Sequence, residues 1–97
     1  MLPIRAVGIP WYNKEDYPLV LKIMADARLL SPTYEEWRRR AEDFERAQKA
    51  QGVIVVRAII DPKAFPGWCA VRGLNIDAAA RTRFANERAK AEAGGTH

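Results

Sequence analysis

The sequence is short of the residues on which most enzymes depend. It holds one cysteine, Cys69, and one histidine, His97, its last residue. Ser31 is the only serine, and its place before a proline at a helix start is explained by capping. A Ser/His/Asp or Cys/His constellation cannot be assembled, because nucleophile and base must sit within hydrogen-bond reach of each other. With no imidazole in the body of the chain, Cys69 reads as a small buried apolar residue. A single cysteine forms no internal disulfide, which fits a reducing compartment. Paired Cys or His are missing, and the acids of "EDFE", residues 42–45, scatter around a helix, so no metal site is expected. There is no Gly-rich phosphate loop. No apolar run nears the ~20 residues of a membrane span, and "MLPIRAVGIPWYNKED" lacks the features of an export signal. The expected setting is cytoplasmic, with no membrane contact, no cofactor and no catalytic residue.

Charge of one sign is scarce as well. The net charge is +4, with nine Lys/Arg against eight Asp/Glu up to Gln51 and seven against four beyond it. That bias permits contact with nucleic acid or an anion and demands neither. What is present is an ordinary globular composition, 48% hydrophobic and 29% charged over 97 residues, enough for one modest core. We expect a single domain over residues 1–93 and a flexible C-terminal tail over 94–97.

Along the chain, "IRAVGIPWY", residues 4–12, reads as a short strand that Pro10 ends or holds at an edge. A helix follows, capped by Asn13 or Asp16, with Tyr17, Val20, Leu21, Met24 and Ala27 on its core face. Thr33 and Glu36 fit a capping box at the start of a second helix that runs to Ala50, where Gly52 ends it. Its apolar positions, Tyr34, Trp37, Ala41, Phe44 and Gln48, step by three and four. Tyr34, Trp37 and Phe44 form an aromatic seam that is either core or interface. Glu35 to Arg39 and Glu42 to Arg46 have favourable i, i+4 spacing, so Arg38, Arg39 and Arg40 read as a solvated face.

"VIVVRAII", residues 53–60, is the clearest strand, and its continuous apolar character predicts burial on both faces. Asp61-Pro62 stops it. A short irregular helix over 62–72 ends at Gly73, and a last helix, capped by Asn75 or Asp77, carries Ile76, Ala80 and Phe84 to about Ala91. The order β-α-α-β-α-α defines an α/β domain. A helical crossover between the strands favours parallel pairing, and two strands alone leave open edges that a homodimer closes.

Ligands of open α/β sheets gather beyond the carboxyl ends of the strands. That rule collects Trp11, Tyr12 and Asp61 into one candidate binding site, with Arg5 or Arg57 behind them. Arg57 interrupts an apolar strand, and a guanidinium there has to reach a carboxylate, an edge or a ligand.

Two resemblances add to these readings. Residues 53–92, with a strand, a stop, a short helix, the "RGLN" turn and a second helix, resemble ribbon-helix-helix DNA-binding proteins. That resemblance implies a dimeric strand ribbon in the major groove. Only Arg57 could read a base edge there, while Arg81, Arg83, Arg88 and Lys90 could meet phosphates. The ribbon is apolar, and Pro66-Gly67 interrupts its first helix. Across the chain, "GIPWY" with "EDYP", "TYEEW" and "IDPKAFPGWCAVRGLNIDAAARTRFANE" resemble a family of small bacterial proteins of similar length without an assigned activity. This implies a bacterial, cytoplasmic origin. The function expected from the sequence is a non-catalytic interaction or ligand-binding module acting as a homodimer or with another protein. A ribbon-helix-helix-like DNA regulator and a small enzyme using carboxylates and arginines are the alternatives.

Overall fold

The computed structural model describes residues 5–94. Strand β1 covers Ala6–Trp11, helix α1 Tyr17–Ile23, helix α2 Tyr34–Ala50, strand β2 Ile54–Ile59, helix α3 Phe65–Val71 and helix α4 Ala78–Gly94. This is the expected β-α-α-β-α-α order, and the two strands pair in parallel within the chain. The last helix reaches Gly94, beyond the expected end near Ala91. His97, with residues 95–97 of the expected tail, lies outside the described residues.

The register pairs Val7 with Val55, Ile9 with Arg57 and Trp11 with Ile59. Side chains alternate across a strand, so these residues share one face and Gly8, Pro10, Val56 and Ala58 share the other. Helix α2 covers the first face, where Trp11 meets Trp37 edge-on at 5.0 Å. Helix α4 covers the second, close enough that Gly8 lies against the backbone of Ala85. The result is three layers, helix on sheet on helix. Val20, Ala58, Ile60, Cys69 and Ala85 are fully buried between them.

Some of the local signals act as their chemistry predicts, while neither Asn13 nor Asp16 caps the first helix through its side chain. The Thr33 hydroxyl accepts from the Glu36 N–H at 3.2 Å and so caps α2. Gly52, at φ +80°, and Gly73, at φ +68°, adopt the left-handed conformation beyond α2 and α3, which a side chain would strain. Helix α1 stops at Ile23, because Met24 is already extended (φ −76°, ψ 128°), so Ala27 belongs to a separate short turn. The carboxylates of α2 choose other partners than the expected ones. Arg38 donates to Glu42 at 3.1 Å, and Glu35 pairs with Lys14 at 3.3 Å.

Two further expectations need correction. Strand β2 is not buried on both faces: Ile54 is 48% exposed and Ile59 50% exposed. A sheet of two strands leaves β2 at an edge, where neighbours reach only part of each side chain. The seam of α2 is also rotated. Trp37 is buried and Tyr34 half-buried, but Phe44 is 48% exposed and Glu45 takes the inward position. Trp37, Ala41 and Glu45 recur every four residues, and the acid is inside because Arg57 is there to meet it.

Candidate functional site

The residues expected beyond the strands separate into different places. Trp11 and Arg57 are together: the guanidinium lies 3.9 Å from the centre of the Trp11 ring. Arg57 also donates from Nε and Nη2 to the two Glu45 carboxylate oxygens, each at 2.8 Å. Its partner among the alternatives is therefore a carboxylate. Tyr12 sits in the aromatic cluster, 4.8 Å from the Trp37 ring and 5.8 Å from Tyr17, and is 1% exposed. Burial pushes its hydroxyl up to about 12, with the nearby Arg81 charge pulling partly back. Arg5 is at the opposite end of β1, where its carbonyl accepts from the Ile54 N–H at 2.9 Å. Asp61 is exposed, and its Oδ1 accepts from the Lys63 N–H at 2.9 Å, which steadies the turn into α3.

Two grooves open beside the end of β2, and Ile59 borders both. The larger, about 390 Å³, lies on the α2 side and includes Trp11, Lys14, Tyr34, Arg38 and Arg57. Each of its cations already faces an acid: Arg57 meets Glu45, Arg38 meets Glu42 and Lys14 meets Glu35. Charge balanced this way leaves little attraction for an anion. The guanidinium of Arg57 also holds the Glu45 carboxyl below the usual range, against the burial that opposes it. Replacing Glu45 with glutamine is expected to cost about 1–2 kcal/mol. That is less than for a sealed pair, because the Arg57 side chain is 40% exposed and water screens it. Urea unfolding at neutral pH checks this, and an unchanged midpoint would mean that the pair is ornamental.

The smaller groove, about 210 Å³, lies on the α4 side, between the end of β2 and helices α3 and α4. Phe65, Trp68 and Phe84 form its aromatic wall, with ring centres 5.3–5.7 Å apart. Asp61 and Arg88 stand at its rim, and among the described residues Arg88 makes no ion pair, its guanidinium lying 5.7 Å from the Phe84 ring. Sequence reasoning missed this wall. Its only signal was the spacing of Phe65 with Trp68 and of Phe84 with Arg88, one helical turn each. Their meeting depends on α3 folding back onto α4.

The backbone of β2 is the third component. The Ile54 N–H donates to Arg5 and the Ile60 N–H to Trp11, each at 2.9 Å. In a parallel ladder alternate residues face the neighbour, so Val55, Arg57 and Ile59 turn their N–H and C=O groups outward. No further strand lies there among the described residues. The outer edge of β1 differs: by the same alternation Pro10 faces outward, and proline has no N–H to offer.

The DNA-binding arrangement fares poorly on this geometry. A strand paired in parallel inside its own chain, with a helix on each face, is not a ribbon free to enter a groove. Arg81 is 7% exposed and bound to Asp26, and Arg83 pairs with Glu87 at 3.0 Å, which leaves Arg88 and Lys90 for phosphates. Cys69 is fully buried, which pushes its thiol up, away from the reactive thiolate. Among the described residues no group of three or more His, Cys, Asp or Glu gathers to hold a metal ion. No helix among them is long and apolar enough to cross a membrane. Compared with known proteins, the chain matches no family model, no curated protein and no solved structure.

Proposed function

We propose that the protein is a non-catalytic interaction module that acts as a homodimer, with the outer edge of β2 as its contact. The observation that carries this reading is the open edge itself. Three residues in a row of alternate positions present paired donors and acceptors, and the half-exposed Ile54 and Ile59 lie beside them. Such an edge is a template for another extended strand, and natural proteins protect it when nothing pairs there. The protections are visible on β1, in Pro10, and missing from β2, whose only charge, Arg57, is held by Glu45. A second copy brings the same backbone pattern across a two-fold axis and yields a four-stranded sheet.

With Arg57 on that axis and the two β2 strands antiparallel, Val55 lies opposite the partner's Ile59, and Ile54 opposite the partner's Ile60. Both half-exposed isoleucines then meet aliphatic side chains. The two arginines can approach because each carries its own carboxylate. Sedimentation equilibrium tests the reading. The native protein is expected to sediment as a dimer. Ile59→Lys is expected to sediment as a monomer with unchanged circular dichroism, since the position is already half in water and lysine is a usual guard of strand edges. A native protein that remains monomeric at high concentration, or an Ile59→Lys protein that still dimerises, overturns it.

A further inference from the structure

The small groove on the α4 side is too tight for most metabolites. Its 210 Å³ falls below the roughly 300–1,000 Å³ of small-molecule sites. It has an aromatic wall, no deep polar group, and a rim on Ile59, at the edge that the proposed dimer uses. A cavity of that size and lining suits one aliphatic side chain.

The register of the dimer supplies that side chain. Ile54 shares the α4 face with Val56, Ala58 and Ile60 by strand alternation, and it is 48% exposed, with none of the described residues covering it fully. Across a two-fold axis at Arg57, Ile54 comes to lie beside the partner's Ile60. Ile60 is the last residue before the Asp61 turn that opens the groove. We infer that each copy seats its Ile54 in the other's groove, against Phe65, Trp68 and Phe84. This rests on the homodimer reading and adds to it a pair of reciprocal anchors. Strand pairing alone covers too little: a stable interface buries on the order of 800 Å² per partner and takes most of its affinity from a few side chains seated in pockets. The groove provides such a pocket, and the symmetry provides it twice.

Two measurements test the assignment on the full chain. First, the dimer dissociation constant of Ile54→Ala is compared with that of the native protein. Loss of an anchor that acts twice per dimer is expected to weaken association at least about tenfold. Ile54 is half-exposed in the single chain, so folding is expected to survive. Second, Ile54→Cys protein is mixed with Ala64→Cys protein under mild oxidation. Ala64 is exposed and lines the groove, so a crosslinked heterodimer is expected from the mixture and not from either protein alone. The outcomes separate the two proposals. A native protein that is monomeric overturns both. A dimer that Ile59→Lys disrupts, but that Ile54→Ala leaves at its native affinity without the mixed crosslink, keeps the edge contact and overturns the anchor.

Discussion

Replacing Gly8 with alanine is expected to cost at least about 3 kcal/mol of folding stability, a large part of the roughly 5–15 kcal/mol that holds a domain of this size together. The reason is space, not backbone freedom, since Gly8 does not have a positive φ. A Cβ at this position meets the Ala85 carbonyl oxygen at 1.9 Å, its carbon at 2.5 Å and its Cα at 3.2 Å. All three are backbone atoms of α4, so no rotamer change relieves the overlap. The helix has to move off β1, which opens the packing of Ala58, Ala85 and Ala89, all nearly or fully buried. Removing a glycine from a strand returns only about 0.5–1 kcal/mol through reduced chain entropy, too little to offset this. Gly67 is the control: a Cβ there meets nothing within 4 Å, so Gly67→Ala in α3 is expected to be neutral or mildly stabilising. Urea unfolding of both variants, with and without Ala85→Gly, decides the matter. The second substitution is expected to give Gly8→Ala no relief, because the obstacle is the Ala85 backbone and not its methyl group. A Gly8→Ala protein with the native midpoint would show that α4 does not sit as closely on β1 as described.

The same contact marks what could be read from the sequence. The strands, the caps at Thr33 and the stops at Gly52 and Gly73 were legible because each is a local bargain between a side chain and its own backbone. Parallel pairing followed from the helical crossover between the strands. Gly8 was not singled out, because its partner lies 77 residues away on another element. The spacing of helix α2 puts Phe44 on a seam that is either core or interface and Glu45 on the charged face, the usual ranking of an aromatic over an acid. That ranking fails when a partner waits within: Arg57 on β2 needed a carboxylate, and the apolar strand around it announced the need without saying which acid would answer. Trp11 and Arg57, one of the two arginines the sequence offered, meet because they occupy nearly the same height on paired strands. Tyr12 lies just past the end of β1, where it is taken up by the aromatic cluster with Trp37 and Tyr17, and Arg5 lies at the far end of β1.

Asp26→Ala is the second substitution expected to be severe. Asp26 lies in the turn after α1 and ties it to α4 by three hydrogen bonds. Arg81 donates to its two oxygens at 2.7 and 3.1 Å, and the Ala78 N–H donates to Oδ2 at 3.2 Å. The carboxylate thus caps α4 from 52 residues away while it neutralises a guanidinium that is 7% exposed. Without it, Arg81 keeps its charge inside the protein beside Tyr12 and the Met24 sulfur, with no carboxylate bonded to it and only the weaker, more distant attraction of Asp77. Breaking one side of a buried pair costs about 3–5 kcal/mol, most of it the penalty of the stranded charge. Asp26→Ala is therefore expected to be largely unfolded near 37 °C, and Arg81→Met, which removes the charge and keeps the stem, is expected to be milder. Replacing the whole pair, Asp26→Ala with Arg81→Met, is expected to be more stable than Asp26→Ala alone, because no charge is left unmatched. The pair also sets a pH dependence. Hydrogen bonding to Arg81 holds the Asp26 carboxyl below its ordinary value of 3.8, against a smaller opposing effect of burial. A carboxyl lowered on folding stabilises in full above its unfolded pKa, and that contribution fades as pH falls from there through the lower folded value. Native stability is thus expected to drop below about pH 4, and the drop is expected to shrink in the double variant, which has no carboxyl there to protonate. Thermal melts of the native, single and double variants between pH 3 and 7 measure both effects at once. A double variant no more stable than Asp26→Ala would locate the cost in the lost cap of α4 and not in the unpaired arginine.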